Sequence, residues 1–166
     1  MKSSVYIALP LFLLLAVVQT AVLPYFPIFG IVAQVPLLVI ISWTLLHGLE
    51  EGLVWAFVAG LSVDLFSIGP FGATALAYIT AVLVIASLNN FLPSGRFFLP
   101  VVYAALGTFI YLLVYLSFVR LLGYGTAFGT ISNLVTLVLL NAGLMLPIYW
   151  LIYGIEHSIR PRRVEV

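Results

Sequence analysis

Residues 52–72 read GLVWAFVAGLSVDLFSIGPFG, and the fold turns on how that stretch is taken. From Gly52 to Phe66 it is apolar apart from Ser62 and Asp64. Ser67-Ile68-Gly69-Pro70-Phe71-Gly72 then supplies turn and helix-breaking residues in close succession. The stretch reads as a membrane-crossing helix closed by a tight turn, and the rest of the chain agrees. Of its 166 residues, 64% are hydrophobic and 7% charged, with a mean hydropathy of +1.29. A soluble domain carries about 45–50% apolar and about 25% charged residues. So few charges cannot cover a water-soluble globule of this size. That excludes soluble enzymes, nucleic-acid binders and disordered chains. An integral membrane protein with little outside the bilayer remains.

A membrane helix needs about 20 mainly apolar residues, so the chain has room for five or six. The reading is six, over residues 4–23, 31–46, 52–66, 73–92, 97–120 and 131–153, in one all-α bundle. Pro24-Tyr25-Phe26-Pro27 and Gly30 break the first two apart, and these aromatics suit a membrane–water interface. A cleaved signal peptide is the rival reading of the first run, but no clean small-x-small site follows it. His47-Gly48-Leu49-Glu50-Glu51-Gly52 reads as a solvated hairpin. Asn89-Asn90 with Pro93-Ser94-Gly95-Arg96, and Gly123-Tyr124-Gly125 with Phe128-Gly129, form the later connections. With six spans, Lys2, Arg96, Arg160, Arg162 and Arg163 share one face and Arg120 alone takes the other. That matches the positive-inside bias and puts both termini in the cytoplasm.

Asp64 is the one acid inside an expected span, roughly 18 Å along its helix from Gly52 at about 1.5 Å per residue. A carboxylate at that depth needs water, a partner charge or helix-terminal donors. Three roles are open: capping the 67–72 turn through its backbone N–H groups, contacting a partner or ligand, or moving protons. Arg120 ends the fifth span on the same expected face, where it either pairs with Asp64 or snorkels to the headgroups. Gly48, Gly52, Ala56, Gly60 and Asp64 recur every four residues, and Ala73, Ala77 and Ala81 make a second small-residue stripe. Such stripes let helices approach closely in lipid, within this bundle or against a partner's membrane helix. Asn141 can hydrogen-bond across helices, and Pro147 removes a backbone bond and is expected to kink the last span.

Catalysis finds no support. There are no cysteines, and His47 and His157 lie too far apart in sequence for metal-ligand spacing. Glu50 and Glu51 are neighbours and point in different directions on a helix. No Ser/His/Asp set is present, so neither cofactor nor metal is expected. Trp43, Trp55 and Trp150 read as interfacial anchors or packing residues.

The chain resembles the MreD family of rod shape-determining proteins over nearly its whole length. The most specific part is Gly60-Leu61-Ser62-Val63-Asp64-Leu65, followed by the short turn and Gly72, which opens the next helix. Gly48 and Gly52 are similar to glycines just upstream in the family. Gln34-Val35-Pro36 resembles its Pro-containing start of the second span, and Asn141 with Pro147 its last helix. The resemblance implies a non-enzymatic scaffold of the cell-elongation machinery in the bacterial inner membrane. It implies a partner, MreC, with one membrane helix, and a wider assembly with MreB, RodA and a class B penicillin-binding transpeptidase. It also implies a fold like the six-helix substrate-binding subunits of energy-coupling-factor vitamin transporters. The competing function is therefore a vitamin-binding subunit, whose cavity could be lined only by Asp64, Arg120, Asn141 and Gln34.

Overall fold

Six helices follow one another in the computed structural model of the protein, which describes residues 2–89, 91, 98–123 and 131–159. They are α1 Lys2–Val17, α2 Val35–His47, α3 Leu49–Phe66, α4 Ala73–Asn89, α5 Leu99–Leu121 and α6 Ile131–Ile159. A π-helical turn, Val18–Val22, and a 3-10 turn, Leu23–Tyr25, prolong α1. Among the described residues there is no strand, only an isolated bridge between Ile28 and Ile31. Arg96, Arg160, Arg162 and Arg163, four of the five cations on the expected cytoplasmic face, lie outside the described residues. So do Asn90, the 93–96 loop and residues 124–130.

The helices form a bundle around α2, which packs on each of the other five. α2 is short and apolar, and Leu37, Leu38, Ile40 and Ile41 are fully buried in the core. Pro36 sits in its first turn, where a missing N–H costs nothing. Gly48, at φ +89°, ends α2 and leads directly into α3. The expected solvated hairpin over residues 47–52 is thus a single-residue break. Glu50 and Glu51 belong to the first turn of α3, where the helix dipole favours acids.

Side chains are distributed the wrong way round for water. The interior is rich in small and polar residues: Ala56, Ala59, Ala77, Ala81 and Ala104, with Ser42, Thr44, Ser62, Thr108 and Asn141. The outside carries large apolar ones, among them Leu14, Phe57, Leu83, Phe109, Leu113, Leu139 and Leu151. Lipid removes the penalty for that exterior, and close helix contact then selects small residues inside. Length and composition single out three helices able to cross a membrane, with apolar spans at Ala8–Tyr25, Leu99–Leu121 and Asn133–His157. α2 and α4 are apolar but shorter. α3 carries Glu50, Glu51 and Asp64. α6 continues on both sides of Pro147, whose ring is exposed.

Candidate functional site

The corner between α3 and α4 is built on Asp64. Its carboxylate is 5% exposed and accepts three backbone N–H bonds: Gly72 at 2.9 Å, Thr74 at 3.2 Å and Ala75 at 3.3 Å. The Ala73 N–H goes to the Pro70 carbonyl and that of Leu76 to Gly72. The first turn of α4 is thereby satisfied in an apolar setting, by a side chain from the preceding helix. Gly72, at φ +90°, lets the chain turn into α4. This is the capping geometry among the three roles open to Asp64. Arg120 is exposed at the end of α5, and no hydrogen bond or ion pair joins it to Asp64.

The small-residue stripe faces inward. A Cβ on Gly60 would collide with the Ala75 backbone, with its N at 2.6 Å, and one on Gly52 would collide with Thr44. Ala73, Ala77 and Ala81 are likewise fully buried. The Gly52–Gly60 face of α3 is therefore covered by α2 and α4. Gly48 is not part of the stripe, because it lies between helices at positive φ.

A second polar centre lies where the chain enters α2. Gln19, in the π-helical turn, donates from Nε2 to the Ala33 carbonyl at 2.8 Å. Its Oε1 accepts the Val35 N–H at 3.1 Å. Asn141 of α6, fully buried, accepts the Gln34 N–H at 3.0 Å and donates to Thr108 Oγ1 at 3.0 Å. Thr108 passes its own proton to the Ala104 carbonyl at 2.7 Å. The Tyr78 hydroxyl reaches Gln34 Oε1 at 3.4 Å. Two carboxamides from different helices thus hold the Ala33 carbonyl and the Gln34 N–H of a segment that is not helical, and the Val35 N–H that opens α2. Unpaired backbone in lipid costs several kcal/mol, so such a segment persists only inside protein with partners of this kind.

The sequence brings Gln34 and Asn141 together only as lining of the competing vitamin cavity; in the structure the Gln34 backbone N–H donates to Asn141 Oδ1. Gln19, Thr108 and Tyr78 belong to the same network and carry no motif. Their one sequence signal is a polar atom within an apolar run.

At the far end of α2 the Trp43 ring stacks between His47, at 3.8 Å, and Trp55, at 3.9 Å. Trp43 Nε1 donates to Glu51 Oε2 at 3.0 Å. His47 Nε2 meets Glu156 Oε1 of α6 at 3.0 Å. Trp43 and Trp55 are packing residues here, whereas Trp150 is half exposed. Glu51 is tied into this cluster rather than simply solvated. Among the described residues no group of three or more His, Asp or Glu could hold a metal ion. The polar side chains of both centres hold backbone and one another.

No curated protein and no solved structure matches the chain. One family model does, that of the rod shape-determining protein MreD, over residues 1–158. With nearly the whole chain matched, and with an interior and exterior suited to lipid, this protein belongs to the MreD family, a family of membrane proteins with a role in determining rod shape.

Proposed function

We propose that the protein is a non-enzymatic membrane scaffold of the bacterial cell-elongation machinery, binding MreC and helping to organise peptidoglycan synthesis. MreB, RodA and a class B penicillin-binding transpeptidase would join it in a larger assembly. The observation that carries this reading is the family match over residues 1–158. All six helices would cross the inner membrane with both termini in the cytoplasm, in the layout of energy-coupling-factor substrate-binding subunits. α2, α3 and α4 would cross as shorter rods supported by their neighbours.

The geometry favours a scaffold over a vitamin-binding subunit. Of the four residues a vitamin site would use, Asp64 and Asn141 are engaged in holding backbone. Gln34 takes part in the same network, and Arg120 lies exposed and apart from it. MreC's helix would then seat on the outer surface of the bundle, since the α3 stripe is covered from within. In lipid that contact depends on shape fit and a few polar bonds. Co-expression with MreC, purification in mild detergent and identification of the co-purifying chains tests the proposal. MreC in the complex, with no bound vitamin, supports it. A folded protein that retains a vitamin and no MreC overturns it.

A further inference from the structure

The segment between α1 and α2 combines features that occur together nowhere else among the described residues. α1 opens into a π-helical turn at Val18–Val22, a distortion that recurs at functional positions in other helices. The chain then reverses at Phe29, a non-glycine residue at φ +51°, and Gly30, at φ +76°. It runs without helix to Gln34. Its tip is open, with Tyr25, Phe26 and Phe29 exposed and Phe29 at 88%. Its foot is closed, with Ala33 only 7% exposed. Counting from Gln19 to Tyr25, and from Ile131 to Asn141, α2 begins roughly 9–15 Å below the ends of its neighbours at about 1.5 Å per residue.

We propose that residues 28–34 are a releasable strap, clasped at its foot by the carboxamides of Gln19 and Asn141, whose release opens the buried start of α2. The strap's own ties are few. The two backbone bonds between Ile28 and Ile31 hold the turn's shape, and Ile31 adds a partly buried contact with the core. The foot is fixed by the bonds of Gln19 to Ala33 and Val35 and of Asn141 to the Gln34 N–H, together with the Tyr78 hydroxyl on the Gln34 side chain and the Leu38 N–H on the Gln34 carbonyl. An element with an exposed tip and few buried contacts opens at lower free energy than the helices around it. Winding the strap onto α2 would cost a hydrogen bond, because Pro36 has no N–H for the Val32 carbonyl, so the strap is released as an extended piece whose freed backbone groups turn to water. Any molecule that binds the Tyr25–Phe29 tip better in the released form shifts this equilibrium in proportion to that preference. The strap is independent of which protein partner the chain takes.

The absence of cysteine makes the test direct. Phe29→Cys marks the tip and Ala33→Cys the foot, each as the single thiol of full-length protein in lipid nanodiscs, where both faces meet the reagent. With a water-soluble maleimide, Ala33→Cys reacts at least about tenfold more slowly than Phe29→Cys, equivalent to about 1.4 kcal/mol of opening free energy. Adding Gln19→Met or Asn141→Leu raises the Ala33→Cys rate by about tenfold on the same scale and leaves the Phe29→Cys rate unchanged. Thr108→Val, which removes the bond that orients Asn141 and the hydroxyl's own bond to the Ala104 carbonyl but leaves both clasp amides in place, gives a smaller acceleration in the same direction and guards against a variant that misfolds. Labelling of Ala33→Cys that is as fast as the tip without any clasp mutation overturns the proposal. So does a rate that none of the three substitutions changes.

Discussion

The α3–α4 corner and the α1–α2 connection solve one problem in two ways. Each must satisfy the backbone donors at a helix start that is surrounded by apolar side chains. At the corner a single carboxylate, Asp64, takes three N–H groups eight to eleven residues ahead of it. At the strap two neutral carboxamides, from helices at opposite ends of the chain, take one or two groups each. The corner is charged, local and closed by Gly60 lying against Ala75. The strap is neutral, long-range and open at its tip. The difference teaches that a buried acid in this bundle is a rigid fastening, whereas the amide clasp is the weaker joint.

The comparison breaks first at Gly60. A side chain there meets backbone rather than a movable rotamer, so Gly60→Leu costs about 3 kcal/mol or more and is expected to prevent folding. Loss of the monodisperse peak in size-exclusion chromatography would report it, and a normal peak would mean that the helices are less closely packed than described. Asp64→Ala leaves three buried N–H groups without an acceptor and lowers stability by about 3 kcal/mol, against about half that for Asp64→Asn. Thermal unfolding in detergent orders the two. Gln19→Met and Asn141→Leu sharpen the contrast, at about 1–2 kcal/mol each, the range for interhelical polar bonds in lipid. Equal losses for Asp64→Ala and Gln19→Met would erase the distinction drawn between the two joints. Arg120→Gln stands at the bottom, within about 0.5 kcal/mol as for an exposed residue without such contacts. A charge-swapped Asp64→Arg, Arg120→Asp chain is expected to be no better than its worse single variant, and recovery would reveal a pair that the geometry does not contain.

Legibility in the sequence follows the range of the contacts. The all-helical character, the turn at 67–72 and the weight given to Asp64 can be read because apolar runs, breakers and a lone acid are local signals. The α3 and α4 boundaries at Phe66 and Ala73 follow from them. Which way the Gly52–Gly60 stripe faces cannot be read, because small residues suit an inner contact and an outer groove equally. The late start of α2, at Val35 rather than at residue 31, depends on Gln19 and Asn141. Asn141 stands 107 residues from its partner Gln34, beyond any periodicity argument. Gln19 and Thr108 look like single polar residues in apolar runs, and only the packed bundle gives them partners. His47 and Glu51 read as a solvated hairpin because the stack of Trp43 and the reach of Glu156 are tertiary facts.

Backbone amide exchange, resolved residue by residue in nanodiscs, tests most directly that these polar groups are there to hold named stretches of chain. Asp64→Asn is expected to weaken protection at Gly72, Thr74 and Ala75 while Gln34 and Val35 keep theirs, and Asn141→Leu to weaken it at Gln34 while Gly72, Thr74 and Ala75 keep theirs. Protection lost evenly across both sites in either variant, or retained at the amides nearest the substitution, would contradict it.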